Sequence, residues 1–205
     1  MGKVIVIAGK QRSGKDTTGK LYSDFLRANG YTTAIFKFAD PLYMIHDEIR
    51  MAMSERGFDV PAGYEEKDGE LLQIIGEWGR KRYGRDVWVK LSVKNVLQTI
   101  NSRQDKSKFV AIFTDCRYEN ELYAFDGKVK GALKIKLFAP EDVRKARCAG
   151  SGTWRENTQH PSEVGLDHIE DNCYHLLFDS SQVPSQSILE YSKQFLLDDT
   201  LGNCI

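Results

Sequence analysis

The stretch KVIVIAGKQRSGKDT at residues 3–17 decides the fold of this chain. Its apolar part, Val4 to Ile7, is an unbroken β-branched run, which is typical of a strand that a parallel sheet buries on both faces. Beyond it, apolar residues recur at helical spacing, at Leu21, Tyr22, Phe25 and Leu26. Gly30 stands where a left-handed cap would end that helix. A glycine-rich turn therefore connects a buried strand to a helix.

This turn has the spacing G-x-x-x-x-G-K, with glycines at 9 and 14 and a lysine at 15. Glycines let the backbone approach an anion closely, so that successive N–H groups and the helix N-terminus point at a phosphate group. The lysine then reaches the β and γ oxygens as a point charge. The turn predicts an ATP site that is formed by Gly9, Arg12, Ser13, Gly14, Lys15, Asp16 and Thr17.

Acidic residues near this turn predict a Mg²⁺ site. Asp16 stands where the common pattern has a Ser or Thr ligand, so it would approach the metal through water or cap the helix, and Thr17 is the nearest hydroxyl. Asp115 follows the continuous apolar run 109–113. Because ligands bind beyond the carboxyl ends of parallel strands, we expect Asp115 to orient Mg²⁺ and its water there, or to cap a helix at 117–126.

Length and composition indicate a single domain that spans residues 1–205. The 29 basic and 29 acidic side chains balance, so we expect small-molecule partners rather than nucleic acid. The four cysteines lack metal-ligand spacing and are expected to be free thiols of a reducing compartment. The first apolar run is too short to export or anchor the chain, so we expect a cytoplasmic protein with no membrane contact. The sequence is compatible with a monomer or a homodimer.

The rest of the chain predicts a three-layer α/β fold, in which helices flank a parallel central sheet. Further strands are expected at 33–38, 109–113, 133–137 and 174–178. Lys134 and Lys136 alternate with apolar residues, which indicates a more exposed strand near the sheet edge. Asp40 before Pro41 predicts a helix N-cap, and Trp78 and Trp88 are expected in the core.

A polar segment at about 148–162 follows a predicted helix that carries Arg144 and Arg147 on one face. We interpret this segment as a mobile lid that brings both arginines onto the triphosphate and excludes water. The alternative is a solvated surface loop. Trp154, inside the segment, could stack on a base or could simply pack against the protein.

Six motifs occur along the chain in a fixed order. They are residues 9–17, Phe38 to Leu42, Leu72-Gln73 with Gly76 to Arg80, Asp86 to Val89, Asp115 to Arg117 with Asn120-Glu121, and His160 to Glu163. In this order they resemble the bacteriophage-type deoxynucleoside monophosphate kinases, over residues 3 to about 170. The resemblance implies a P-loop kinase fold, with ATP and Mg²⁺ on the donor side and a deoxynucleoside 5′-monophosphate as acceptor. It also implies the host cytoplasm as location if the chain is of phage origin.

The resemblance also implies roles for single residues. Lys15 and its loop would hold the ATP phosphates, with Asp115 at the metal edge. Arg80 and Arg117 would face the acceptor phosphate, but the Gly76 to Arg80 spacing is one residue short for the family, so Lys81 competes with Arg80. The remaining acceptor-side candidates are Asp40, Trp154, His160, Ser162 and Glu163.

The type of acceptor decides what chemistry the site needs. A monophosphate has a second pKa of about 6 and is already anionic at neutral pH, so charge and positioning suffice for transfer. A kinase of a hydroxyl acceptor, such as a polynucleotide 5′-end or a small metabolite, would need a general base, for which Asp40 is the available carboxylate. A third reading is a non-kinase ATP-binding module that works through a protein partner.

Overall fold

The computed structural model describes residues 2–60, 68–129, 131–148, 154 and 158–197. The elements, in chain order, are β1 (Lys3–Ala8), α1 (Lys15–Ala28), β2 (Thr32–Phe36), α2 (Asp40–Glu55), α3 (Gly69–Tyr83), α4 (Val87–Asn101), β3 (Phe109–Cys116), α5 (Glu119–Leu122), β4 (Gly131–Phe138), α6 (Glu141–Ala146), α7 (Pro161–Val164), a 3₁₀ turn (Asp171–Cys173), β5 (Leu176–Asp179) and α8 (Ser185–Leu197).

The five strands form one parallel sheet in the order β2-β3-β1-β4-β5. β1 lies at its centre, where Val4 is opposite Ala111 of β3 and Ile5 is opposite Leu133 of β4. All strands therefore end at the same edge of the sheet, and the turn after β1 lies at the middle of that edge. This arrangement confirms the predicted three-layer α/β fold.

Helices cover both faces of the sheet. Val4 and Val6 belong to a core that α4 closes, whereas Ile5 and Ile7 belong to a second core that α1 and α8 close. Because successive side chains of a strand point to opposite faces, an unbroken apolar run such as that of β1 fits only where both faces are covered.

An aromatic cluster fixes the turn that follows β2. The ring of Phe38 lies 4.3 Å from that of Phe113 in β3, and Phe113 lies 5.1 Å from Phe125. All three side chains are buried. Such pairs add about 0.5–1.5 kcal/mol each to the stabilisation from burial alone. The cluster therefore holds residues 37–39 beside the end of β3.

Three local predictions are wrong. Trp78 is 55% exposed, because α3 turns Gly76 and Gly79 inward and Trp88, not Trp78, packs against this face. Lys134 is buried and pairs with Asp126 at 2.7 Å, because residues 123–126 cover β4. Asp40 is the first residue of α2, and its carboxylate accepts the Lys37 N–H instead of capping that helix.

Two predictions about the chain's chemistry can be compared with the structure. The three described cysteines, Cys116, Cys148 and Cys173, are free thiols, as expected. Within the described ranges, no helix combines the length and the apolar character that crossing a membrane requires.

Candidate active site

The turn between β1 and α1, residues 9–14, has the backbone of a phosphate-binding loop. Gly9 and Gly14 have φ of +150° and +95°, and a Cβ on Gly9 would come within 2.3 Å of the Leu137 carbonyl oxygen. Arg12 also has a positive φ, +59°, which is uncommon for a side chain other than glycine. Ser13 Oγ is buried without a hydrogen-bond partner among the described residues. An anion held by this loop would satisfy such a group.

Lys15 is the first residue of α1 and lies buried at the bottom of the cleft. Its Nζ donates to the carbonyl oxygens of Gly9 at 2.8 Å and Lys10 at 2.7 Å. Burial, and then the positive charge of Arg117, lower the pKa of Lys15 from 10.5 to about 7. Charge neutralisation by a bound polyphosphate would restore the ammonium form.

Oxygen groups that could hold Mg²⁺ lie at the first turn of α1. The Asp16 side chain is 77% exposed and lies 3.8 Å from Lys37 Nζ, and its Oδ1 accepts a hydrogen bond from Thr114 Oγ1 at 2.8 Å. Thr17 is exposed next to it. The described residues contain no cluster of three His, Cys, Asp or Glu that could hold a metal ion. Asp16 and Thr17 nevertheless fit Mg²⁺, because proteins usually hold this ion through one or two carboxylates together with substrate phosphates and water.

Asp115, at the end of β3, holds the turn after β2. Its two oxygens accept the N–H groups of Phe38 at 2.8 Å and Ala39 at 3.0 Å. Burial raises the pKa of Asp115, and the two N–H groups oppose that rise. The helix-capping alternative is wrong, because α5 has Tyr118 as its N-cap. Asp115 also lines the cleft. Its role in orienting Mg²⁺ and its water stays a prediction.

The cleft has a volume of about 620 Å³ and runs from the phosphate loop to the surface between α2, α3 and α4. Lys15, Lys37, Arg80, Arg117 and Arg147 bring positive charge to it. Its remaining walls include apolar and aromatic side chains and one carboxamide: Leu42, Tyr43, Leu72, Gln73, Trp88 and Tyr118. This is the size and lining of a small-molecule site that takes an anionic ligand with a flat or apolar part.

The structure separates Arg80 from Lys81. Arg80 lines the cleft, and its guanidinium carbon lies 5.6 Å from the centre of the Tyr118 ring. The Lys81 side chain is 81% exposed and lies 3.8 Å from Glu77. Between the two candidates, Arg80 is therefore the one placed to meet a ligand.

The other acceptor-side candidates are dispersed. His160 and Ser162 line the cleft and hydrogen-bond each other at 2.9 Å. Asp40 is not among the described residues that line it. Glu163 is buried behind the phosphate loop, and the centre of the Trp154 ring lies 5.4 Å from the Arg144 guanidinium carbon.

The two arginines of α6 and the turn after it contact the phosphate loop from behind. Arg144 Nη1 donates to the Gln11 carbonyl oxygen at 3.2 Å, and Arg147 Nη1 donates to that of Arg12 at 3.0 Å. Arg147 also lines the cleft, whereas Arg144 lines a smaller cavity of about 210 Å³ behind the loop. Of the predicted lid, residues 149–153 and 155–157 lie outside the described residues.

Sequence reasoning missed several residues of the cleft. Glu121 is buried at its wall and accepts the N–H groups of Arg117 and Tyr118, and burial together with the Asp115 charge raises its pKa to about 8. Lys37, Tyr43 and Gln73 also line the cleft. Glu121 and Gln73 stood inside motifs that the resemblance used, so that signal could have found them.

No protein-family model matches this chain, and no curated protein is significantly similar to it. Among solved structures, it is similar to TT1252 from Thermus thermophilus, with 21% identity, 96% of each chain covered and a TM-score of 0.52. It is also similar to APE1195, with 15% identity, 95% of this chain and 94% of that chain covered and a TM-score of 0.52. The tunicamycin resistance protein of Deinococcus radiodurans follows with 12% identity, 95% and 96% covered, and a TM-score of 0.50. At these identities the similarity shows the fold alone, the three-layer α/β fold described above.

Proposed function

We propose that this chain is an ATP-dependent phosphotransferase that moves the γ-phosphoryl group to a deoxynucleoside 5′-monophosphate. The observation that carries the proposal is the set of residues that share one cleft. Lys15 and the loop residues Gln11, Arg12 and Gly14 line it together with Arg80 and Arg117, and aromatic and apolar side chains complete its walls. Two phosphate groups that repel each other need this density of positive charge, and a nucleobase fits the aromatic and apolar walls.

The deoxynucleotide part of the proposal rests on the six ordered sequence motifs. All six contribute residues to this one cleft: the phosphate loop, Phe38 to Leu42, the Leu72 to Arg80 region, Trp88 of the Asp86 to Val89 motif, the Asp115 to Glu121 region, and His160 with Ser162. Motifs that are far apart in sequence therefore meet at the site where a donor and an acceptor nucleotide would have to meet.

The residues of the site would act by binding and orienting. The phosphate loop and Lys15 would hold the donor phosphates, and Arg80 and Arg117 would hold the acceptor phosphate in line. Asp16, Thr17 and Asp115 would hold Mg²⁺, whose chemical contribution is to neutralise charge on the donor phosphates. No general base is required, since a monophosphate is already largely anionic at neutral pH.

The hydroxyl-acceptor alternative loses the base that it was assigned. Asp40 accepts the Lys37 N–H at 2.7 Å and is not among the described residues that line the cleft. An Asp40→Asn variant should accordingly keep near-normal turnover of monophosphates. A large loss in that variant would restore Asp40 as a candidate for a role in the transfer.

A coupled assay of ADP release against a panel of dNMPs and NMPs tests the proposal. We expect turnover with monophosphates, deoxynucleotides preferred, and little ATP hydrolysis without an acceptor. Lys15→Ala should lose at least about a hundredfold, the scale of one transition-state charge contact. Lys20→Ala, an exposed lysine of the same helix, is the matched control.

Two results would overturn the proposal. If ATP is hydrolysed rapidly without any acceptor, the chain is an ATP-binding module. If a polynucleotide 5′-end or a small alcohol is phosphorylated and no monophosphate is, the acceptor is a hydroxyl group.

A further inference from the structure

Glu163 lies in α7, and its side chain is only 3% exposed. One carboxylate oxygen, Oε2, accepts the backbone N–H of Gln11 in the phosphate loop at 3.0 Å. The other, Oε1, accepts a charge-assisted hydrogen bond from Arg117 Nη1. A single buried carboxylate thus contacts the loop and one of the arginines assigned to the acceptor phosphate.

The Gln11 peptide group is held on both sides. Its N–H donates to Glu163 and its C=O accepts from Arg144, whose Nη1 lies 3.9 Å from Glu163 Oε2. The next residue, Arg12, has the positive φ that is uncommon outside glycine. Such a conformation persists where surrounding groups fix it, and these contacts supply that support.

Arg117 is directed by the same carboxylate. Besides Glu163, its Nη1 donates to the Ser162 carbonyl oxygen at 3.3 Å. A long arginine side chain has many rotamers, and ordering it on a bound phosphate costs conformational entropy unless another contact has fixed it beforehand. The contacts to residues 162 and 163 do so, with the guanidinium still at the wall of the cleft.

The position of Glu163 excludes direct contact with a ligand in the main cleft. Together with Arg144 it lines the smaller cavity behind the loop, and it is not among the described residues that line the cleft. Arg117 lines both. Glu163 can therefore act on a ligand only through other groups.

We propose that Glu163 is a positioning residue that sets the donor-phosphate loop and the acceptor-phosphate arginine at once. The acceptor half of this inference rests on the proposed function, whereas the loop half requires only that the loop binds a nucleotide. Removing the charge of Glu163 weakens both contacts. A neutral amide accepts less strongly from the Gln11 N–H, and it presents an NH₂ group toward Arg117.

Calorimetric titration with ADP tests the effect of Glu163 on the phosphate loop, and titration with a dNMP tests its effect on Arg117. Glu163→Gln should weaken ADP and dNMP binding about tenfold each, the order expected when one charge-assisted hydrogen bond is lost. Asp167→Asn is the matched control, since Asp167 also pairs with the loop, through Lys10 at 2.8 Å, but at the surface. It should change either affinity less than about twofold.

A double-mutant cycle with Arg117→Ala distinguishes positioning from general damage. Once Arg117 is gone, Glu163→Gln should cost no further dNMP affinity but should still cost ADP affinity. Additive losses for dNMP, or unchanged ADP binding in Glu163→Gln, would overturn the proposal. Thermal unfolding checks that each variant is folded, and Glu163→Asp, which keeps the charge but shortens its reach, replaces Glu163→Gln if that variant unfolds.

The same titrations distinguish the inference from the proposed function. If the wild-type protein binds ADP but no dNMP, the proposed acceptor and the acceptor half of the inference both fail. The loss of ADP affinity in Glu163→Gln then decides the loop half.

Discussion

At the scale of single residues, the site keeps charged groups in conditions that disfavour their charge. Lys15 is buried beside Arg117, which lowers its pKa to about 7, and Glu121 is buried beside Asp115, which raises its pKa to about 8. Such groups weaken the folded state and are retained where a ligand makes use of them. The phosphates of a bound nucleotide would bring negative charge next to Lys15 and so favour its protonated form.

The lowered pKa of Lys15 predicts how stability depends on pH. Between pH 7 and 10.5 the unfolded chain keeps a proton on this lysine that the folded chain has lost, so the contribution of Lys15 to the free energy of unfolding rises with pH. The slope is at most about 1.4 kcal/mol per pH unit. Lys15→Met should remove this rise, which urea unfolding of nucleotide-free and Mg²⁺-free protein at pH 7.5 and 9.5 would measure. Equal slopes for the variant and the wild type would contradict the prediction.

At the scale of elements, α3 shows how closely the wall of the cleft is packed. Trp88 of α4 lies against Gly79 of α3, and its indole N–H donates to the Gly76 carbonyl oxygen at 3.0 Å. A Cβ on Gly79 would lie 2.2 Å from the Trp88 ring. The two helices can approach this closely only because residue 79 has no side chain, and their contact brings Arg80 to the cleft.

Gly79→Ala should therefore destabilise the protein. Relieving the clash has a cost of about 1–3 kcal/mol, which exceeds the gain of about 1 kcal/mol that alanine brings to a helix interior. Gly76→Ala is the control in the same helix, since its Cβ would make ordinary contacts with Arg80, the nearest at 3.5 Å. Thermal unfolding should show a lower Tm for Gly79→Ala alone, and an unchanged Tm would show that α3 and α4 can move apart freely.

The neighbouring cations of α3 give a second prediction at this scale. Arg80→Ala should lower kcat/KM for the acceptor by about a hundredfold, as expected for losing one charge contact to the acceptor phosphate. Lys81→Ala, next in sequence but pointing to solvent, should change it less than about twofold. Steady-state kinetics with the monophosphate varied at saturating ATP compares them. The opposite ranking would return the role to Lys81.

At the scale of the whole molecule, features that depend on neighbouring residues in the chain can be predicted from the sequence. Features that depend on contacts between distant residues cannot. The β1 run, the phosphate loop and the start of α1 are contiguous, so their order in the sequence is their order in space. The burial of Lys134 depends on Asp126 and Tyr123, which cover β4 from outside the strand. The hidden position of Glu163 depends on contacts to residues 46 and 152 positions away in sequence. A pattern within one element cannot show such contacts.

The sheet order also predicts which strands resist local unfolding longest and therefore exchange their amide hydrogens most slowly. β1 and β3 are paired on both edges and covered on both faces, whereas the outer edges of β2 and β5 have no partner strand in the described part of the chain. Amide hydrogen exchange should be slowest in β1 and β3 and faster by at least about tenfold in β2 and β5. Mass spectrometry of peptides from each strand measures this, and slowest exchange in an edge strand would contradict it.

The central place of β1 has a consequence for how the chain is made. β1 is synthesised before either strand that flanks it, since Lys3 pairs with Val110 on one side and with Gly131 on the other. Until β3 has left the ribosome, neither edge of the Val-Ile run of β1 is paired, a condition in which nascent chains aggregate or recruit chaperones. The phosphate loop, anchored at the end of this strand, therefore acquires its shape late in synthesis although it is translated early.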